Sequence, residues 1–162
     1  MKVRIDKIVI VHAIDTDPDT SYLGEYSEDL GPADRTIDRK EKGCAGRHEY
    51  RYFIAATSGA QSGNPESVEQ DYRRMESLRR GDWYFVGIHA RAKLSYGDEM
   101  GDRRDVVLES GGLQGVESDS DADYYAEIEA EELADLQRLL EVFGVDCSNF
   151  DELAEKAEHK EN

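Results

Sequence analysis

The chain has 162 residues, of which 37 are acidic and 20 basic, and its formal net charge is −17. This balance disfavours direct binding of nucleic acid, because phosphate groups are recognised by Lys and Arg side chains that displace counterions. No apolar run approaches the roughly 20 residues that a helix needs to cross a bilayer, so we expect no membrane-spanning helix. The two cysteines make no disulfide framework, and we therefore expect a soluble intracellular protein.

The acidic residues are concentrated at one end of the chain. Residues 117–162 contain 16 acidic and 3 basic side chains, whereas residues 47–94 contain 6 acidic and 8 basic ones. Three explanations are open: a solvated helix face that maintains solubility, adaptation to high salt, or a surface that binds a basic partner. Adaptation to high salt predicts acid over every surface, so the observed concentration favours the other two.

The first third of the chain is predicted to contain three strands. Alternating apolar residues indicate a strand over residues 3–14, a short second strand over 20–26 and a third over 48–57. Residues 27–46 contain several glycines and a proline among alternating charges. This composition predicts a long loop, which we expect to be the most mobile segment.

Strong signals of helix ends surround residues 65–80. Asn64 is a favourable N-cap, Pro65 suits the first helical position, and Gly81 suits the position after the last turn. An apolar stripe at helical spacing predicts the buried face of this helix: Val68, Tyr72, Met75 and Leu78.

The second half is predicted to be strands followed by helices. The predicted elements are strands over 82–94, 105–109 and 113–117, a helix over 121–143, and a short helix after Asn149. We expect Ser118, Asp119 or Ser120 to cap the long helix. Its predicted apolar face consists of Ala122, Ala126, Leu133, Leu136, Leu140 and Phe143.

Together these elements predict an α+β fold. We expect a largely antiparallel sheet of four to six strands, packed with main helices near 65–80 and 121–143 and a short C-terminal helix. With no linker in the sequence, residues 1–158 are expected to form one domain. Residues 159–162 are expected to fray.

Two sets of residues resemble metal ligands. Asp119, Asp121 and Asp123 match the first three positions of a calcium loop, but the glycine and the final glutamate of that loop are absent. Helix capping explains the same acids. Cys44 and His48 could bind zinc with His12 or Cys147, but their spacing is unspecific. We expect His12 to be a packed or edge histidine.

The glycine-rich run Gly111–Gly115 has some likeness to a phosphate-binding loop. It lacks the Gly-Lys-Ser/Thr that would follow, and it leads into carboxylates that would repel an anion. We therefore interpret it as a turn or bulge.

One pattern suggests an enzyme. Asp15 and Asp17 follow a predicted strand and resemble the nucleophile motif of haloacid dehalogenases, and Asp98 and Asp102 resemble that family's magnesium-binding acids. The resemblance implies a magnesium-dependent phosphohydrolase with these four catalytic residues. Asp19 stands where the motif has threonine or valine, and no crossover helix is predicted after it.

The long helix could imitate the charge of a nucleic acid. From Asp121 to Glu141 it spans about 30 Å and carries eight acids, close to the roughly nine phosphates that one DNA strand offers over that length. The candidate binding residues lie in this helix and before it: Glu117, Asp119, Asp121, Asp123, Glu127, Glu131 and Asp135. The expected partner is a basic protein surface, such as that of a host nucleic-acid-binding or defence protein, and no nucleic acid or membrane.

Several strings along the chain are together similar to those of a known group of proteins. They are Tyr22–Tyr26, Thr36–Arg39, Glu49–Phe53, Gln70–Glu76, Gly81–Ile88 and Ser110–Asp121. In this order they resemble a group of uncharacterised small proteins encoded by phages, prophages and plasmids. The resemblance implies a mobile-element origin and brings no catalytic residue with it.

The leading hypothesis is a non-enzymatic phage or mobile-element accessory protein in the host cytoplasm. It would bind another protein through its acidic C-terminal helix, with counter-defence or nucleic-acid mimicry as one version, and would need no metal or cofactor. The alternatives are the magnesium-dependent phosphohydrolase and a structural or assembly role in a virion.

Overall fold

The computed structural model describes residues 2–42, 50–56, 64–97 and 103–162. Contacts among residues divide the chain into two compact units. The first unit comprises Met1–Pro18 and Tyr84–Asn162, and the second comprises Asp19–Trp83. The sequence has no linker at either crossing, so it predicts one domain and gives no sign of this division.

The described elements follow one another in a strand-rich order. They are β1 (Lys2–Ile14), β2 (Gly24–Ser27), β3 (Thr36–Asp38), β4 (Tyr52–Ala55), α1 (Pro65–Arg80), β5 (Phe85–Gly97), β6 (Arg103–Glu109), β7 (Leu113–Glu117), α2 (Ala122–Val142), α3 (Phe150–Glu155) and β8 (Glu158–Glu161). The predicted fold class, α+β with a largely antiparallel sheet, is confirmed.

The first unit is organised around the pairing of β1 with β5. These strands are antiparallel from Lys2 beside Gly97 to Ile14 beside Val86, with an irregularity between Ile5 and Lys7. The sheet order is β6-β5-β1-β8, and β7 also pairs with β5. β5 is therefore the central strand of the unit.

Helix α2 packs over the apolar face of this sheet. Alternate residues of β5 form this buried face: Val86, Ile88, Ala90, Ala92 and Leu94. They form one core with residues of α2 and α3, including Leu136, Leu140 and Phe150. Burial of this face supplies the main driving force for packing the unit.

The buried face of α2 matches the predicted one at Leu136 and Leu140 and differs from it at other positions. Ile128, Glu132, Leu136 and Leu140 are buried at intervals of four residues, whereas Phe143 is 67 % exposed and Ala122 and Ala126 are exposed. The helix ends at Val142, and Gly144 takes a left-handed conformation with φ 72°. The chain therefore turns at this point, and Val145 is the residue that reaches the core.

The start of α2 also differs from the prediction. Its N-cap is Asp121, which makes no side-chain capping hydrogen bond. Ser118 instead joins the strand opposite, because its Oγ accepts from the Tyr84 N–H at 2.9 Å and its own N–H donates to the Tyr84 carbonyl at 2.8 Å. This serine extends the pairing of β7 with β5.

The end of the chain, which the sequence predicts to fray, forms strand β8 of the sheet. β8 runs parallel to β1 from Glu158 beside Val9 to Glu161 beside His12. The Asn162 N–H donates to the His12 carbonyl at 3.0 Å. All four β8 residues are exposed polar or charged ones, as is common at a sheet edge, and such a composition conceals a strand from sequence analysis.

The second unit contains the sheet β2-β4-β3 and α1. The predicted ends of α1 are confirmed: the Asn64 side chain accepts from the Glu66 N–H at 3.0 Å, and Gly81 has φ 77°. Short strand β3 lies inside the segment predicted to be a loop. Phe53 of β4 is fully buried and contacts the Tyr26 and Tyr72 rings.

In the described part of the chain, none of the helices combines the length and apolarity needed to cross a membrane.

Comparing Leu140→Ala with Phe143→Ala should distinguish the observed face of α2 from the predicted one, because both residues belong to the predicted face and only Leu140 is buried. Leu140 is 0 % exposed, so Leu140→Ala should lower the free energy of unfolding by about 2–5 kcal/mol. Phe143→Ala, on the same helix end, should change it by less than about 0.5 kcal/mol. Urea unfolding followed by far-ultraviolet circular dichroism measures both, and equal losses would contradict the assignment.

Candidate functional site

Four carboxylates form a row along the exposed face of α2. Asp123, Glu127, Glu131 and Asp135 follow one another at intervals of four residues, and all four side chains are exposed. Residues four apart are neighbours on a helix surface, and this row spans about 18 Å. We call these four residues the acidic ridge.

Most of the acidic ridge has no counter-charge. Among the described residues, Asp123, Glu127 and Glu131 make no ion pair or hydrogen bond through their side chains, and Asp135 pairs with Arg138. Like charges at this spacing repel one another by a few tenths of a kcal/mol per pair. This repulsion destabilises the isolated helix, and a positively charged neighbour would relieve it.

The other predicted binding residues lead along the chain into the acidic ridge. Asp121 is exposed at the N-cap of α2, and Asp119 is exposed in the preceding turn. Glu117 is half-buried at the end of β7, where its carbonyl accepts from the Tyr125 hydroxyl at 3.3 Å. Only Glu117 is partly withdrawn from the surface.

Glu132 of α2 is turned inward, away from the acidic ridge. It is 6 % exposed, and its Oε2 accepts from the Ser110 hydroxyl at 2.5 Å and from the Gly112 N–H at 3.0 Å. Ser110 Oγ accepts in turn from the Ala90 N–H at 2.9 Å. The glycine run between β6 and β7 is therefore a turn whose amide binds a carboxylate of its own chain.

Glu129 is also turned inward, and its carboxylate contacts the side chains of two histidines. Its Oε1 lies 2.8 Å from His12 Nε2, and its Oε2 lies 3.0 Å from His159 Nε2. The three residues come from α2, β1 and β8. Their possible metal-binding atoms all lie within 4.8 Å of one another. We call them the His–Glu cluster.

A cavity of about 390 Å³ adjoins the His–Glu cluster, because His12, a member of the cluster, also lines this cavity. Tyr84, Ser118 and Tyr125 line other parts of it. The Tyr125 ring lies 5.5 Å from the His12 ring. Burial, together with the charges of Tyr84 and Asp119, raises the pKa of Tyr125, so its hydroxyl stays protonated and can donate a hydrogen bond.

The sequence gives no sign of the His–Glu cluster. His12 and Glu129 are 117 residues apart, and Glu129 and His159 are 30 residues apart. His12 is a half-buried histidine within an apolar strand, which agrees with its expected packing, but its partners depend on the position of β8. His159 lies in the segment expected to fray. No motif spacing connects residues on three separate elements.

Two of the four residues of the phosphohydrolase hypothesis, Asp15 and Asp17, lie in the described part of the chain. Asp15 holds the loop after β1, since its Oδ1 accepts from the Asp17 N–H at 3.1 Å and its Oδ2 from the Gly115 N–H at 3.2 Å. The described chain continues from Asp17 into β2 without a helix. Asp98 and Asp102 lie outside the described residues.

The zinc hypothesis based on Cys44 and His48 also concerns residues outside the described ranges. Cys147 is half-buried beside the core of the first unit. Burial, with Glu141 and Asp146 nearby, raises the pKa of its thiol.

The second unit contains a buried charge. Arg39 is 1 % exposed, and its guanidinium lies over the Tyr26 ring. It donates hydrogen bonds to Glu76 Oε1 at 3.0 Å and to the Tyr50 carbonyl at 2.8 Å. The Tyr26 hydroxyl also donates to Glu76, at 2.7 Å. Burial and this carboxylate raise the pKa of Tyr26. Glu76 therefore neutralises Arg39 and orients Tyr26.

Comparison of the chain with protein-family models, with curated proteins and with solved structures finds no match. The resemblance to phage, prophage and plasmid proteins therefore stays a prediction, and the functional proposals below rest on geometry and charge.

Replacing Glu76 by Gln should destabilise the second unit strongly, because it leaves Arg39 buried without a counter-charge. We expect a loss of about 3–5 kcal/mol in the free energy of unfolding. Glu69→Gln, on the same helix, is the control, because Glu69 is a more exposed carboxylate that pairs with Lys42 and Arg73. It should lower the free energy of unfolding by less than about 1 kcal/mol. Urea unfolding followed by fluorescence of Trp83, the single tryptophan, measures both. Equal losses would refute a structural role for this buried pair.

Proposed function

We propose that the protein is a non-enzymatic phage or mobile-element accessory protein that binds a basic protein surface through the acidic ridge. The observation that carries the proposal is the exposed row Asp123, Glu127, Glu131 and Asp135, of which three members have no counter-charge among the described residues. A surface of this kind attracts partners rich in Lys and Arg and steers their encounter.

The number of exposed acids favours a basic protein patch over complete imitation of DNA. The ridge presents one carboxylate for about every 6 Å of helix, whereas a DNA strand presents one phosphate per 3.4 Å. Glu129 and Glu132 face inward, so they contribute little to the charge that a partner meets. The ridge alone thus has about half of the line charge of one strand.

The partner that fits this surface is a protein with Lys or Arg side chains spaced along about 18 Å. A host nucleic-acid-binding or defence protein has such a patch where it contacts phosphates, because phosphate recognition needs the same side chains. The accessory protein would then act by occupying that patch. Its binding should weaken as salt increases, since the ridge is exposed to solvent.

Reversing the charge at three ridge positions should abolish partner capture. The variant carries Glu127→Lys, Glu131→Lys and Asp135→Lys, and we expect at least a tenfold loss of captured partner, since like charges across an interface cost several kcal/mol. Affinity capture from host lysate, quantified by mass spectrometry at physiological and high salt, is the measurement.

The matched control reverses three acids on α3, Asp151, Glu152 and Glu155, which are also exposed. It changes the net charge by the same amount and should retain the partners. Circular dichroism should show both variants folded. If both capture the same proteins as the wild type, or lose them equally, the ridge is not the binding surface.

A further inference from the structure

We propose that His12, Glu129 and His159 bind a divalent transition-metal ion of the zinc class. Two imidazole nitrogens and a carboxylate converge from three elements, with all possible ligand atoms within 4.8 Å of one another. None of the three belongs to the acidic ridge, so the proposal does not rest on the proposed binding function.

The distances are close to those of a metal site. Zinc binds imidazole nitrogen and carboxylate oxygen at about 2.0–2.1 Å, which places neighbouring ligand atoms about 3.3 Å apart in a tetrahedron. Glu129 oxygens lie 2.8 and 3.0 Å from the Nε2 atoms of His12 and His159. We expect side-chain rotations to bring the three ligand atoms, which lie within 4.8 Å of one another, onto one ion.

The ligands are held by regular secondary structure. His12 lies in β1 between β5 and β8, where it pairs with Ile88 on one side and with Glu161 on the other. His159 sits beside Ile10 on β8. Sites on strands and helices keep their geometry better than sites on loops.

The donor set selects the class of ion. Imidazole favours zinc, copper, iron and nickel, whereas calcium and magnesium prefer sites made of oxygen ligands. Three protein ligands leave at least one coordination position for water or a small ligand, as in catalytic zinc sites. The adjoining cavity of about 390 Å³ provides room for that ligand beside His12 and Tyr125.

A purely structural role is the competing explanation of the same contacts. The two histidines could simply donate hydrogen bonds to Glu129 and hold β8 against α2. In that case zinc would bind no better to the wild type than to a variant without the carboxylate. Titration with zinc therefore distinguishes a metal site from a set of purely structural hydrogen bonds.

The test measures Zn²⁺ affinity by competition with a chromophoric chelator in excess Mg²⁺, which saturates weak acidic surface sites. We expect one Zn²⁺ per chain for the wild type and binding at least tenfold weaker for Glu129→Gln and for His159→Gln, since even the partners of metal ligands contribute tenfold or more. Glu141→Gln, which changes an exposed glutamate of α2 outside both the acidic ridge and the His–Glu cluster, is the matched control and should bind Zn²⁺ like the wild type.

Two further readouts make the outcome decisive. A variant with Cys44→Ser and Cys147→Ser should keep its affinity for Zn²⁺. Zn²⁺ should also raise the melting temperature of the wild type and of Glu141→Gln, but not of Glu129→Gln. Equal affinity of the wild type and Glu129→Gln, or loss of binding in the cysteine variant, would overturn the proposal. Absence of Zn²⁺ binding to the folded wild type would also overturn it.

Discussion

The antiparallel pairing of β1 with β5 is the constraint on which the first unit depends. It joins residues near the start of the chain to residues 72 to 95 positions later, and its register runs from Lys2 beside Gly97 to Ile14 beside Val86. β6 and β7 are added to β5, and β8 is added to β1. One register therefore sets the apolar face on which α2 packs and the position of His12 opposite that helix.

Helix α2 shows how one acidic segment acquires two different surfaces. Its period of 3.6 residues places Glu129 and Glu132 toward the sheet and Asp123, Glu127 and Glu131 toward solvent. Side chains from β1, β8 and the turn after β6 form hydrogen bonds with the carboxylates of Glu129 and Glu132, which offsets the cost of turning them inward. The outward row is not neutralised within the described chain, and it is available to a partner.

The two proposals depend on different properties of this helix. Partner binding through the acidic ridge needs exposed charge and weakens with salt, whereas the His–Glu cluster needs short distances fixed by three elements. An ion in the cluster would also fasten β8, an exposed strand of four residues, to the rest of the sheet. The two sites are on opposite sides of one helix, so each can be changed while the other is kept.

The sequence by itself determined the features that arise from local interactions. It predicted the α+β class, the ends of α1 at Asn64 and Gly81, strand β7 and the concentration of acid near α2, since caps, turns and periodicity act within a few residues. Only the tertiary structure decided that Phe143 is exposed, that β8 is a strand and that His12, Glu129 and His159 meet. These outcomes depend on contacts between residues far apart in the chain, and an edge strand of charged residues has no apolar pattern by which its sequence could be recognised.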